Sequence, residues 1–312
     1  KDYRASMQIY LARTQGFCAG VARAIGIVEQ ALDKYGAPLY VFHEIVHNTA
    51  VVNDFKAKGV IFIDDINLVP EGSLVIFSAH GVPPALIAKA RSRRLRMIDA
   101  TCPLVTKVHN KAILHSKENI DIVLIGHEGH EEVVGTAGYV NPELLHIVQN
   151  INDIDKLPIP SHKKVAFITQ TTLSVDETKE IILKLRDRYP HLVGPAKDDI
   201  CYATQNRQDA VKELAKICEV ILICGSKNSS NSNRLREKGE LLGVPSFIID
   251  NAGELDIQII AGKNKVGLSS GASVPRHLVD GIVEKLKSQV YPVEVITFDN
   301  PETNVIFPLP EI

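Results

Sequence analysis

No apolar run in this chain approaches the roughly 18 residues a bilayer span needs. Val220-Ile-Leu-Ile-Cys224 is among the longest such runs, so the sequence predicts no association with membranes. Neither sign of charge dominates: 35 Lys and Arg stand against 37 Asp and Glu, and the basic residues are scattered. A broad nucleic-acid footprint is thereby excluded, while a single phosphate pocket is not. Cysteine is sparse. The five present form no C-x-x-C pair, and their odd number, with no dense framework and no signal peptide, points to a reducing compartment. The expected location is the cytoplasm, or a plastid-type organelle if residues 1–6 end a longer leader; otherwise Lys1–Ser6 read as an expression scar before Met7. No Walker A loop and no Gly-x-Gly-x-x-Gly occurs, so nucleotide binding has no support.

What is there begins with Arg96-Met-Ile-Asp-Ala-Thr-Cys-Pro-Leu-Val-Thr-Lys-Val-His109. It reads as strand, polar turn and helix, with Pro103 in the first helical turn, where its missing N–H costs nothing. Cys102 therefore sits where a strand's carboxyl end meets a helix's amino end, the usual ligand position in α/β folds. Gly16-Phe-Cys18-Ala-Gly and Asp199-Ile-Cys201-Tyr-Ala-Thr repeat the arrangement. After each cysteine a polar strand-end follows 28 or 29 residues later, at His47, His130 and Ser230. A second follows after 62, 69 and 72 residues, at His80, Thr171 and Ser273. Self-similarity at about 85–100 residues fits three α/β lobes with parallel sheets better than a solenoid. The expected division is 14–100, 101–197 and 198–290, with a covering tail over 291–312 that is too proline-rich for a lobe.

Cys18, Cys102 and Cys201 share one position in the repeat, whereas Cys218 falls on an apolar helix face and Cys224 ends a strand. Three thiolates suit a soft metal or an iron–sulfur cluster, and three rather than four leave one metal position open. His47, His80, His130, Ser229, Ser230, Asn231 and Ser273 bring imidazole, hydroxyl and amide donors to helix starts, a phosphate cradle that needs no Lys or Arg. Glu131 and Glu132 are both candidates for a proton-donating carboxyl with a raised pKa; these residues alone do not choose between them. His43-Glu-Ile-Val-His47 matches the zincin pattern, which requires a helix; here it continues the strand Leu39–Phe42. A non-catalytic iron–sulfur sensor and a zinc hydrolase stay open beside a cluster enzyme.

Six long motifs in order, Gly16-Phe-Cys-Ala-Gly-Val, Ser78-Ala-His-Gly-Val, Asp99-Ala-Thr-Cys-Pro-Leu-Val-Thr-Lys-Val-His, Thr169-Gln-Thr-Thr-Leu-Ser, Asp198-Asp-Ile-Cys-Tyr-Ala-Thr and Gly225-Ser-Lys-Asn-Ser-Ser-Asn-Ser-Asn-Arg-Leu, resemble the 4-hydroxy-3-methylbut-2-enyl diphosphate reductase family. The resemblance runs from Met7 to the tail. It implies three pseudo-threefold-related lobes, a trefoil, around a central [4Fe–4S] cluster with one iron not held by cysteine, and it puts strand 7–13 in the third lobe. Carried over by motif, Cys18, Cys102 and Cys201 are the cluster ligands. His47, His80, His130, Thr171, Ser229, Ser230, Asn231 and Ser273 meet the diphosphate, and Glu132 with Thr171 relays protons. Glu131 departs from the family pattern, where a neutral residue is expected. The implied reaction is a two-electron, two-proton reductive dehydroxylation to isopentenyl and dimethylallyl diphosphates. The implied electron donor is a ferredoxin or flavodoxin, and the chain is expected to act as a monomer.

The two metal readings part at Glu44, a bystander to the reductase and the indispensable base of a zincin. Glu44→Gln is expected to keep substantial turnover. His47→Ala should weaken substrate binding roughly ten- to a hundred-fold with metal content unchanged, the loss of one charge-assisted contact. Steady-state kinetics with metal analysis decide it; a dead Glu44→Gln with full metal would restore the hydrolase.

Overall fold

The computed structural model describes residues 7–196, 198–289, 292–302 and 304–312; residues 1–6, expected to be a leader end or an expression scar, lie outside them. The chain opens with β1 (Met7–Leu11), and helix α1 (Ala19–Tyr35) follows the first cysteine loop. Ala24, Ile27, Val28 and Ala31 bury one stripe of α1, and Gly36, at φ 74°, ends it by donating its N–H to Leu32. The first sheet holds β2 (Leu39–Phe42), then, after α2 (Thr49–Ala57), β3 (Val60–Ile63) and β4 (Leu74–Phe77), and, after α3 (Pro84–Ser92), β5 (Arg96–Asp99). Helix α4 (Pro103–Lys117) leads to β6 (Asp121–Ile125), α5 (Glu131–Ala137), β7 (Leu145–Val148), β8 (Val165–Thr169), α6 (Val175–Arg188) and the two-residue β9 (Leu192–Val193). The last set is α7 (Tyr202–Ala215), β10 (Val220–Cys224), α8 (Ser230–Leu241), β11 (Ser246–Ile249), β12 (Lys265–Ser270), α9 (Arg276–Gln289) and β13 (Val293–Ile296).

Among the described residues every strand pairing is parallel. The three sheets run β3-β2-β4-β5, β7-β6-β8-β9 and β11-β10-β12-β1-β13. One strand order thus recurs three times, and in the third sheet the N-terminal strand takes the fourth place. Central strands β4, β8 and β10 are buried along their whole length, as parallel strands covered on both faces must be. Separate apolar clusters fill the two faces of the second and third sheets.

By contacts the chain divides into two compact units. One comprises the residues up to Ala19 with His47–Asn53 and Tyr202–Ile306, and so contains the third sheet. The other comprises Gly20–Val46, Asp54–Cys201 and Phe307–Ile312, with the first two sheets.

One expectation is corrected. Val293–Ile296 is not covering tail: it pairs with Met7–Tyr10 as an edge strand, because β1 would otherwise leave a row of backbone donors and acceptors open. The residues up to Ala19 fall in the unit of the third sheet and residues 198–201 in the other unit, with the N–H groups of Cys18 and Cys201 bonded to Ala272 O and Thr171 O. Helix α7 begins directly after Cys201, at Tyr202. Residues 43–48 are non-helical, with His43 at φ 60°, and α2 starts only at Thr49. The two histidines of the zincin pattern therefore do not share a helix face. Among the described residues no helix is long and apolar enough to cross a membrane.

The second sheet's core supplies a stability test. Phe167 is 1% exposed, and a side chain on Gly194 would come within 2.2 Å of its ring. Phe167→Ala should cost about 3–5 kcal/mol through lost burial and a cavity. Leu183→Ala, at a position 49% exposed, should stay within about 0.5 kcal/mol. Urea unfolding followed by circular dichroism measures both.

Candidate functional site

One hydrogen bond occurs three times. The N–H of Cys18 donates to Ala272 O at 3.0 Å, that of Cys102 to Ala79 O at 3.0 Å, and that of Cys201 to Thr171 O at 3.1 Å. In each case the acceptor lies two residues beyond the last residue of the neighbouring strand: β12, β4 and β8. Parallel pairing makes this possible, since adjacent strands deliver their carboxyl ends to the same rim. All three cysteines are half-buried. Cys218 and Cys224 are buried, and burial pushes their thiols up to about 12. The first three offer the donor set of a thiolate-bound metal; the latter two remain protonated apolar core.

In the unit with the third sheet, the polar strand-ends after β10 and β12 close on the start of α8. Gly225 and Gly271 are both required there: a Cβ on either would stand 2.3 Å from Ser232 Oγ. Ser229 caps α8 by accepting the Ser232 N–H, and Ser230 is the first helical residue. Asn231 is 5% exposed, yet neither atom of its side-chain amide has a partner among the described residues. The buried hydroxyls of Ser232, Ser269 and Ser270 are likewise unpartnered. Such groups are costly unless something else satisfies them, and with the N-terminus of a twelve-residue helix they suit an anion. Ser273 Oγ donates to His47 O at 3.0 Å, and Ser226 Oγ accepts the Thr49 N–H, so loop 47–49 is fixed against both strand-ends. Residue-type reasoning singled out Ser273 but passed over Ser226, Ser269 and Ser270, whose only signal was their place at strand ends.

In the other unit the carboxyl of Glu132 is 2% exposed and accepts two hydrogen bonds from Thr171: N–H at 2.7 Å and hydroxyl at 2.9 Å. Burial raises its pKa to about 7; the Thr171 bonds oppose the rise and the charge of Asp199 adds to it. Asp199 is itself paired with Lys111 of α4 and accepts the Thr169 N–H at 3.2 Å, which fixes the loop leading to Cys201. Glu131, one step of 100° round α5, turns away from Thr171 and pairs with His80 Nδ1 at 2.9 Å. His130 caps α5 by accepting the Glu132 N–H at its Nδ1, and its ring meets that of His80 edge-on at 6.0 Å. Gly81, at φ 80°, leaves room for His109, whose Cε1 would lie 2.6 Å from a Cβ there. His109 stacks on Tyr139, and burial lowers its pKa to about 4. Glu132, Thr171, His80 and His130 are thus gathered in one unit, and Ser229, Ser230, Asn231, Ser273 and His47 in the other.

Parallel α/β lobes, each placing a cysteine beside polar strand-ends at the carboxyl ends of its strands, define the class as three-sheet α/β proteins with candidate thiol ligands and loops suited to an anion. The chain belongs to the LytB protein family, whose family model matches residues 9–287. A relative from Aromatoleum aromaticum, named 4-hydroxy-3-methylbut-2-enyl diphosphate reductase, is 51% identical over 303 residues, covering 97% of this chain and 96% of the relative. One of the same name from Tolumonas auensis is 53% identical over 282 residues, with 90% and 91% covered. The solved E-1-hydroxy-2-methyl-but-2-enyl-4-diphosphate reductase from Plasmodium falciparum superposes with a TM-score of 0.94 at 41% identity, covering 98% of this chain and 96% of that one. A second solved reductase, described as the terminal enzyme of the non-mevalonate pathway, gives 0.65 at 33% identity over 90% and 99%. The three-sheet α/β fold read from the repeat is the fold of these relatives.

Glu132 binds its proton more tightly in the folded chain than in the unfolded one. Between 4.5 and about 7 the folded state therefore carries the extra proton, and stability falls as pH rises through that window, levelling off above it. The shift amounts to roughly 3 kcal/mol. His109 acts oppositely: its lowered value removes stability as pH falls below 6.5 toward about 4. The difference between wild type and Glu132→Gln isolates the carboxyl. That difference should favour the variant increasingly from pH 5 to 8, measured by denaturant unfolding; a difference independent of pH would show Glu132 ionised throughout.

Proposed function

We propose that this chain reduces (E)-4-hydroxy-3-methylbut-2-enyl diphosphate to isopentenyl and dimethylallyl diphosphates, the last step of the non-mevalonate isoprenoid route. The observation that carries the chemistry is the buried Glu132 carboxyl on Thr171, poised near neutrality to hold a transferable proton. Cys18, Cys102 and Cys201 would hold a [4Fe–4S] cluster with one iron free of cysteine; their equivalent strand-end positions and partial exposure suit them to it. When bound, that cluster supplies the two electrons and a Lewis-acidic iron.

The chain's own residues do the rest. His47, His80, His130, Ser229, Ser230, Asn231 and Ser273, with Thr171, bind the diphosphate. The unpartnered amide of Asn231 and the start of α8 support that assignment. Helix-terminal amides and neutral donors fix the diphosphate without a lysine or arginine, so the allylic end is set by where the phosphates are held. As the C–O bond breaks and water leaves, the reaction takes up two protons and two electrons. Glu132 holds one proton at its carboxyl, and Thr171 orients that group through both oxygens. Delivery to either end of the allylic frame gives the two products. A ferredoxin or flavodoxin in a reducing compartment, cytoplasm or plastid-type organelle, would provide the electrons, and the chain would act as a monomer.

Iron and acid-labile sulfide analysis of anaerobically purified protein is the test. Wild type should be brown and hold both elements, a serine at Cys18, Cys102 or Cys201 should bleach it, and a serine at Cys218 or Cys224 should not. Glu132→Gln should keep the metal and near-normal substrate affinity but lose at least about 10² in turnover, with Glu131→Gln milder. Stoichiometric zinc without sulfide would end this reading. If Glu131→Gln proved dead and Glu132→Gln active, the acid would be the neighbouring residue.

A further inference from the structure

Two arginines with no part in the chemistry above each anchor the backbone just before a cysteine. In the unit with the third sheet, Arg207 of α7 is wholly buried. Its NH1 donates to both oxygens of Glu302, each at 3.1 Å, and to Ala203 O, while its NH2 donates to Gly16 O at 2.9 Å, two residues before Cys18. Asn206 Nδ2 donates to the same Glu302 carboxylate at 3.1 Å. Glu302 lies in an irregular stretch, yet its side chain is only 8% exposed. A fully buried guanidinium is tolerated only if its charge is met, and removing one partner of such a pair is strongly destabilising locally. Here the partner comes from the last dozen residues.

The other unit repeats the device with different groups. Arg23 of α1 donates from NH1 to Thr101 O at 3.2 Å, one residue before Cys102, and from Nε to Pro308 O at 3.1 Å. Next to Pro308, Leu309 seats against Gly26 of α1 so closely that a Cβ there would lie 2.9 Å from its Cδ2. In both units a planar guanidinium spans a carbonyl one or two residues before a cysteine and an acceptor among residues 302–308, a fork geometry lysine does not reproduce.

We propose that Glu302 in one unit, and Pro308 with Leu309 in the other, position the metal ligands. Glu302 sets the Cys18 loop through Arg207, and Pro308 with Leu309 sets the Cys102 loop through Arg23. The inference rests on the ligand roles proposed above. Neither arginine touches the reacting atoms; they act by fixing the peptide that carries the thiol.

The experiment measures alkylation of each cysteine by iodoacetamide, resolved by mass spectrometry, in the full-length metal-free chain. Glu302→Gln should raise the Cys18 rate about tenfold, the opening expected when a charge-assisted hydrogen bond is lost, and leave Cys102 unchanged. Leu309→Glu should do the reverse, exposing Cys102 and sparing Cys18. Buried Cys218 and Cys224 report global unfolding and should stay protected in both variants. In anaerobically loaded protein, each variant should also lose iron in air faster than wild type. Equal acceleration at all five cysteines, or no change at the paired one, overturns the proposal. A wild-type chain that takes up no iron and sulfide overturns the ligand reading instead, a result on which the alkylation pattern, read without metal, does not depend.

Discussion

The cysteine N–H bonded to the neighbouring strand-end carbonyl is the contact from which the rest of the arrangement follows. A single such bond contributes only about 0.5–1.5 kcal/mol, but its geometry depends on the whole sheet. Cys102 can reach Ala79 O only because β4 and β5 run parallel and in register, Phe77 against Asp99. The same bond puts each cysteine beside a second polar strand-end, so that Cys201 lies against the peptide of Thr171, whose N–H and hydroxyl hold Glu132. Candidate ligand and candidate acid are coupled through one residue.

Burial then separates side chains that look alike in one dimension. Glu131 and Glu132 are adjacent carboxylates in the first turn of α5, where either is favoured by the helix dipole. The outer one meets His80, while the inner one is stripped of water and has its pKa carried toward neutrality. The five cysteines divide in the same way. Those on strand-end loops keep some exposure, while Cys218 and Cys224, in the apolar core of the third sheet, are held as neutral thiols.

Much of this was legible because strand-end position is written in sequence: an apolar run, a small or polar turn, then a helix start. That pattern located all three cysteines and the polar loops after β2, β4, β6, β8, β10 and β12. It missed β3, β7, β9, β11 and β13, which flank the sheets, are only partly buried and at two to four residues are too short to show a clean period. Val293–Ile296, in a proline-rich stretch, became a strand only because β1 had an open edge, a requirement set hundreds of residues away. The choice of Glu132 over Glu131 needed family resemblance, since two neighbours on one helix turn differ only in what packs around them. Arg207 gave no signal at all; nothing in Gln205-Asn-Arg-Gln208 announces a fully buried guanidinium.

The place of β1 in the third sheet has a temporal side. Ile9 pairs with Val266, 257 residues later, and its neighbour Tyr10 with Ile296. At about 5–20 residues per second, a ribosome needs roughly 13–50 seconds to make that intervening stretch. Through that interval β1 has no partner, while the sheets built from β2 to β9 can already close. Cys18 precedes Cys102 and Cys201 in the chain yet is set in place after them, because Ala272 must exist before its backbone bond can form. The order of synthesis and the order of assembly run in opposite directions around this protein.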